Sequence, residues 1–288
     1  STVDQDAISN PGTSGGLRAN ITQTGDAIST VTQLSSTAGA RNLLATVNQN
    51  DSTSTILQTA SGNLAIGLAA NVVQNSGSTS TVTQTASGDN SGDLFASVFQ
   101  SNGAVSTITQ TAAGDASVTQ DAIVNQTGAN SSTITQTFAN DGTADFSATL
   151  TQTGSGNIST ITQRDQGFGT IANPDGGLEA IVLQSGAGNT SDLLQENKNA
   201  FADIDQTGDG NISDAFQSSS GNDFFLLQSG NLNTSELEQT ALNNLADVSQ
   251  AGDGASSKIQ QSGRNDIAFV DQLVGSDGSR SLITQTGA

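Results

Sequence analysis

Histidine, cysteine, methionine, tryptophan and tyrosine are all missing from this chain, and proline occurs only twice. Without His or Cys there is no Ser-His or Cys-His nucleophile pair. Zinc, haem, copper and iron–sulfur sites of the usual ligand types are excluded on the same ground, as is any disulfide framework. Bases are scarce. Seven cations (Arg18, Arg41, Arg164, Lys198, Lys258, Arg264 and Arg280) stand against 27 acids, for a net charge of −20. So acidic a chain repels the phosphate backbone, which argues against nucleic acid as a partner. Scattered cations without His also argue against a polysaccharide-lyase groove, which needs a positioned base. No apolar run approaches the length of a membrane span. A chain with no Met that begins at Ser1 is expected to have been processed, and a removed signal peptide is the simplest account.

Only 33% of the 288 residues are hydrophobic and 12% charged. That composition alone suggests disorder, but the order of the residues says otherwise. Of 26 Gln, 23 fall on one lattice. After Gln5 it runs through Gln23, Gln33, Gln49, Gln58, Gln74, Gln84, Gln100, Gln110, Gln126, Gln136, Gln152 and Gln163. It continues through Gln184, Gln195, Gln206, Gln217, Gln228, Gln239, Gln250, Gln261, Gln272 and Gln285. From Gln184 to Gln272 every step is 11 residues; between Gln23 and Gln152 the steps alternate between 9–10 and 16. The repeat is therefore about 26 residues in the first half and 22 in the second.

Each repeat holds two Gln-terminated segments. One reads Ala-x-Ψ-x-Gln with Ψ aliphatic, as in Ala122-Val124-Gln126; Phe224-Leu226-Gln228 is its exception. The other reads Ser-x-Ψ-x-Gln, as in Ser132-Ile134-Gln136. A spacing of two places the small residue, the aliphatic and the Gln on one face of a strand. The intervening residues, often Thr or Asp, take the other face. Turn residues follow the Gln, as in Gln152-Thr-Gly-Ser-Gly-Asn157 and Gln206-Thr-Gly-Asp-Gly-Asn211. They are expected to supply the positive φ of a tight arc.

Strand, arc, strand, arc makes one coil of an all-β, two-sheet parallel β-solenoid of about eleven and a half coils. A lone coil buries too little to offset its chain entropy. Stacking adds a backbone ladder and lays each inward Gln over another, so the amides can satisfy one another. The pattern breaks in consecutive coils, at the small Ala215 and the large Phe224, where the large residue can fill the space left by the small one.

The motif Ser-x-Ψ-x-Gln-x-Gly-x-x-Asn-x-x-x-x-x-Gln, clearest in residues 147–163 and at Gln206–Asn211–Gln217 and Gln228–Asn233–Gln239, resembles the curlin repeat of curli fimbria subunits. The resemblance implies a non-enzymatic, secreted subunit without cofactors or metals. Such a subunit polymerises with itself into functional amyloid of the biofilm matrix, helped by a nucleator subunit and export chaperones. It also implies a left-handed solenoid. The chain departs from the family pattern in its longer first-half arcs and in Ala for Ser in the first class. In early coils the Asn is shifted or missing, as in Gln23-Thr-Gly-Asp-Ala.

Four segments are expected. Residues 1–18 hold an N-terminal strand and a Gly-rich loop, 19–163 the long-period repeats, 164–177 a seam loop, and 178–288 the short-period repeats. Strand 1–5 opens the chain and strand 281–285 lies three residues from its end, with no evident cap. Bare strand edges invite another chain, which makes Ser1, Val3, Gln5, Ser281, Ile283 and Gln285 the candidate joint between subunits. For an unbroken filament, strand 1–5 would take the slot of an Ala-class strand.

Two further motifs compete with that reading. Gly208-Asp209-Gly210 and Gly252-Asp253-Gly254 look like calcium turns, but the 11-residue period does not fit a nonapeptide array, and turn chemistry accounts for them. Outward pairs such as Thr30/Thr32, Thr81/Thr83, Thr107/Thr109 and Thr133/Thr135 form an array of the kind an ice-binding or adhesin-type solenoid uses. The array is broken at Leu57, and Asp192, Asp214 and Glu236 replace it after Thr162.

Overall fold

The computed structural model describes residues 1–7, 16–36, 42–62, 67–89, 91–115, 118–139, 144–165, 177–196 and 198–287. The expected Gly-rich loop and seam loop fall largely on 8–15 and 166–176, outside the described residues.

The strands, numbered along the chain, alternate between two parallel sheets. The twelve-strand sheet takes the Ser-class segments: β1 (Thr2–Ala7), β3 (Ile28–Ser35), β5 (Thr53–Ala60), β7 (Thr79–Ala86), β9 (Val105–Ala112), β11 (Ser131–Phe138), β13 (Ile158–Asp165), β15 (Thr190–Glu196), β17 (Ile212–Ser218), β19 (Thr234–Gln239), β21 (Ser256–Gln261) and β23 (Arg280–Gln285). The eleven-strand sheet takes the Ala-class segments: β2 (Arg18–Thr24), β4 (Leu44–Asn50), β6 (Ala69–Asn75), β8 (Leu94–Ser101), β10 (Val118–Thr127), β12 (Ala144–Ser155), β14 (Leu178–Ala187), β16 (Ala200–Thr207), β18 (Asp223–Ser229), β20 (Leu245–Gln250) and β22 (Ile267–Gln272). Each strand hydrogen-bonds to the one a full coil away, and each is linked to its successor by an arc to the other sheet. The architecture is a parallel two-sheet β-solenoid.

Register follows the lattice. Gln136 pairs with Gln110 and Gln163, and Ile134 with Ile108 and Ile161. A one-residue slip would turn this whole row outward, so burial enforces the register. The aliphatics of both sheets merge into one continuous core running from Val31 to Val270. Ala215 stacks on Leu193 and Leu237, and Phe224 on Ala202 and Ala246. Both are buried in that core.

A second core lies beside the first in the long-period half, and the lattice does not foretell it. Two residues before each Ala stand Leu43, Leu68, Leu94, Phe146 and Leu178. Two residues after each Gln of the other sheet stand Ala60, Ala86, Ala112 and Phe138. Phe138 and Phe146 meet edge to face, with ring centroids 6.3 Å apart. In the long-period half these residues, one step past the lattice at the strand ends, form a second apolar strip. In the short-period half the same column passes through Ala200 to buried Asn222 and Asn244, and the strip ends.

Candidate functional site

The inward Gln residues form two unbroken side-chain ladders. Along the twelve-strand sheet each Nε2 donates to the next Oε1. The ladder starts with Gln5 to Gln33 at 2.6 Å and passes through Gln136 to Gln163 at 2.8 Å. It ends with Gln261 to Gln285 at 2.9 Å. The second hydrogen of each amide crosses the core: Gln136 donates to the Asp121 carbonyl at 2.8 Å, Gln195 to Glu179 and Gln217 to Phe201 at 3.0 Å. One side chain therefore joins coil to coil and sheet to sheet.

The eleven-strand sheet has its own ladder. The amides of Gln23, Gln49, Gln74, Gln100 and Gln126 follow one another at 2.5–3.3 Å. Gln126 then donates to Gln152, and from Gln152 to Gln272 each step is 2.6–2.8 Å. The lattice Gln from Gln33 through Gln272 other than these end positions are buried, whereas Gln23 and Gln285 are half-buried and Gln5 is exposed. Off the lattice, Gln120 is buried within the second apolar strip and donates to the Thr111 carbonyl at 3.0 Å.

The arcs carry further ladders that the sequence reading missed. Asn157, Asn189 and Asn211 were expected at positive φ, but that conformation belongs to the flanking glycines, such as Gly208 (φ 109°) and Gly210 (φ 67°). The three Asn are buried instead. The backbone N–H groups of Asn189, Asn211 and Asn233 donate to the Oδ1 of Asn157, Asn189 and Asn211 at 3.0, 2.9 and 3.0 Å. Asn211 Nδ2 in turn donates to the Gly230 carbonyl at 2.9 Å. An Asn at this point satisfies the backbone of the next coil, which no turn propensity encodes. Asn222 and Asn244 do the same in the other arc, where Asn199, Asn243 and Asn265 take the positive φ.

The candidate calcium turns have a structural role. Asp209 Oδ1 accepts from the Ala187 N–H and Asp253 Oδ1 from the Asn231 N–H, both at 2.8 Å. Among the described residues no three acids are grouped to hold a metal ion, and no helix is long and apolar enough to cross a membrane. Burial raises the carboxyl pKa of Asp121, Asp192, Asp203 and Asp223. Asp145 and Asp93 add to the rise at Asp121, Asp214 at Asp192 and Asp205 at Asp203.

At the ends, β1 and β2 close the stack on one side and β22 and β23 on the other, and no described strand covers their outer edges. The candidate joint residues lie there. Val3 stacks on Val31 and Gln5 on Gln33; Ser281, Ile283 and Gln285 stack on Ser257, Ile259 and Gln261. Val3 is 48% exposed, and Ile21 and Ile283 are only partly covered.

The curlin associated repeat matches residues 225–252. That stretch spans most of β18, the arc with Asn233, all of β19 and all of β20, and so includes three lattice Gln. The chain therefore carries a match to the curlin repeat on a β-solenoid. No curated protein matches the chain.

Proposed function

We propose that this chain is the structural subunit of an extracellular, curli-like amyloid fibre that grows head to tail and contributes to the biofilm matrix and surface adhesion. The observation that carries the reading is the pair of Gln ladders and parallel sheets running through the described residues to end strands whose outer edges no described strand covers. Such edges offer N–H, C=O and amide groups to another chain, and end-on addition of identical copies gives an open filament. In the twelve-strand sheet the ladder is polar. Gln5 presents an acceptor at one end and Gln285 a donor at the other, so like ends do not match and opposite ends do.

In this reading the joint is argued from the strand count. Among the described residues, twelve strands in one sheet and eleven in the other make an odd number. Simple translation would stack β1 on β23 of the neighbour and leave the eleven-strand sheet one strand short. A half-turn about the axis removes the gap: β1 then follows β22, and β2 follows β23. Val3 and Gln5 meet Val270 and Gln272 of the neighbouring copy, while Ile21 and Gln23 meet Ile283 and Gln285. Strand 1–5 thereby continues an Ala-class column without leaving its own coil.

The partners in this reading are further copies of the chain, with the nucleator and export chaperones that the curlin resemblance adds. Negative-stain electron microscopy of the purified protein left to stand tests it. Unbranched filaments are expected; a solution that remains monomeric in the presence of preformed seeds would overturn it.

A further inference from the structure

On the outer face of the eleven-strand sheet, the short-period half alternates apolar and acidic side chains from coil to coil. One column runs Ile181, Asp203, Phe225, Asp247, Phe269 in direct register. The column beside it is offset by one coil and runs Glu179, Phe201, Asp223, Leu245. Together they form a checkerboard, in which the Phe201 and Phe225 rings lie 5.3 Å apart, centroid to centroid. A groove of about 250 Å³ is lined by Asp203, Asp205, Phe225, Leu226, Leu227 and Asp247. Phe225 is 39% exposed and Phe269 66%. No Lys or Arg stands at an outward position of β14, β16, β18, β20 or β22. The pattern is confined to this stretch. In the other sheet Asp192, Asp214 and Glu236 follow one another in a single column, and Lys258 then pairs with Glu236. In the long-period half of the eleven-strand sheet, β4, β6 and β8 carry no outward charge.

We propose that this face binds a linear polysaccharide of β-linked amino sugars whose amines are free and protonated. Sugar rings lie against Phe225 and Phe269, and ammonium groups meet Asp203 and Asp247 between them. Charge selects a cation, since Glu179, Asp203, Asp205, Asp223, Asp247 and Asp271 share this face with no base. Spacing selects a sugar chain over a peptide. The column repeats every two coils, about 9.6 Å at ~4.8 Å per coil, which is the scale of two pyranose rings. An extended peptide repeats its side chains every two residues, about 6.6 Å, and falls out of step. The apolar faces of the sugars displace water from the aromatic rings, and each ammonium–carboxylate contact is a charge-assisted hydrogen bond. One chain holds the whole site, because β14 to β22 spans four coil steps, about 19 Å. The contact does not depend on the filament reading, which decides only how often it recurs along a fibre.

The test is calorimetric titration of the full chain, at mildly acidic pH, with a glucosamine hexamer, its fully N-acetylated counterpart and hexalysine. The glucosamine hexamer should bind about tenfold more tightly than either of the others, because one lacks the charge and the other the rings. Phe225→Ser, and Asp203→Asn with Asp247→Asn, should each weaken it by about tenfold. Asp192→Asn, on the other sheet's outer face, should bind as the parent does. A second measurement uses the unaltered chain. Carbodiimide coupling of the bound amines, followed by peptide mapping, should place sugar on Asp203 and Asp247 and spare Asp192 and Asp214. Equal binding of hexalysine would give the face to cationic peptides and overturn the proposal. Equal binding of the acetylated hexamer would overturn it by removing charge from the recognition. So would parental affinity in both variants, or coupling spread alike over both sheets. Filaments that ignore the glucosamine hexamer would defeat the site and leave the filament reading standing. A chain that binds the hexamer but forms no filaments would do the reverse.

Discussion

Gln163 Nε2 donates to Gln195 Oε1 at 2.9 Å, although 32 residues of chain separate them. On the other sheet Gln152 and Gln184 are joined in the same way at 2.6 Å. Both bonds cross the change of period between the long and short coils. Neither ladder registers the change, because what the stack requires is strand on strand and amide on amide. The arcs between strands are free to vary in length.

Removing an inward Gln should be far more damaging than altering an outward Thr. Gln206 accepts from Gln184 at 2.7 Å and donates to Gln228 at 2.8 Å and to the Thr190 carbonyl at 3.1 Å. Gln206→Leu or Gln136→Leu leaves buried partners unsatisfied, at about 1–3 kcal/mol for each orphaned group. Thr135→Ser removes one methyl group from the outer face and should shift stability by less than about 0.5 kcal/mol. Urea denaturation of the three variants checks this, and equal midpoints would contradict the inward assignment.

Two Asn residues of one turn chemistry should part company when replaced by glycine. Asn243 sits at φ 59°, where Gly is at home, so Asn243→Gly should be near neutral. The Asn211 side chain accepts from the Asn233 N–H at 3.0 Å and donates to the Gly230 carbonyl at 2.9 Å, both in the next coil. Asn211→Gly should lower stability by about 1–3 kcal/mol. Thermal melting of the pair decides it.

The strands, their faces, their register and the inward Gln columns were legible because each is a period-two pattern repeated many times, so that single exceptions such as Phe224 stand out against it. The Asn of the arcs was misread because the same Gly-x-Gly-Asn string suits a residue at positive φ or one that caps the next coil. Only the three-dimensional stack shows that the glycines take the strained positions. At Gly208 an added Cβ would lie 2.0 Å from the Gly230 carbonyl oxygen. The second core was invisible for another reason. Leu43, Phe146 and Phe138 lie one step beyond the lattice at either end of the strand. They become partners only where the ends of the two sheets meet in the folded coil.

Acid should stabilise the solenoid before it harms it. The carboxyls of Asp121, Asp192, Asp203 and Asp223 sit above their usual 3.8, chiefly through burial. The folded state thus binds protons more readily than the unfolded chain, so stability rises as pH falls from neutral toward that usual value. Protonation and salt also weaken the repulsion between stacked subunits of charge −20. Seeded elongation, followed at several pH values and ionic strengths, should quicken with moderate acid and with salt. A rate indifferent to both would contradict the electrostatic account.

Deleting residues 1–5 should slow elongation sharply while leaving the remaining coils folded. In this chain the segment pairs in the sheet with β3, and in the filament it would cover β22 of the neighbour. Circular dichroism should show the parental β signal, and seeded growth should fall by an order of magnitude or more. Growth at the parental rate would remove strand 1–5 from the joint.

The central claim, that the two sheets and their Gln ladders continue unbroken from one subunit into the next, is tested most directly by helical reconstruction of the filaments by electron cryomicroscopy. The account predicts a rise of about 55 Å per subunit at ~4.8 Å per coil, with successive copies related by half a turn and Gln5 following Gln272 of its neighbour. A rise near 58 Å without the half-turn, and with a strand missing from one sheet at every joint, would contradict it.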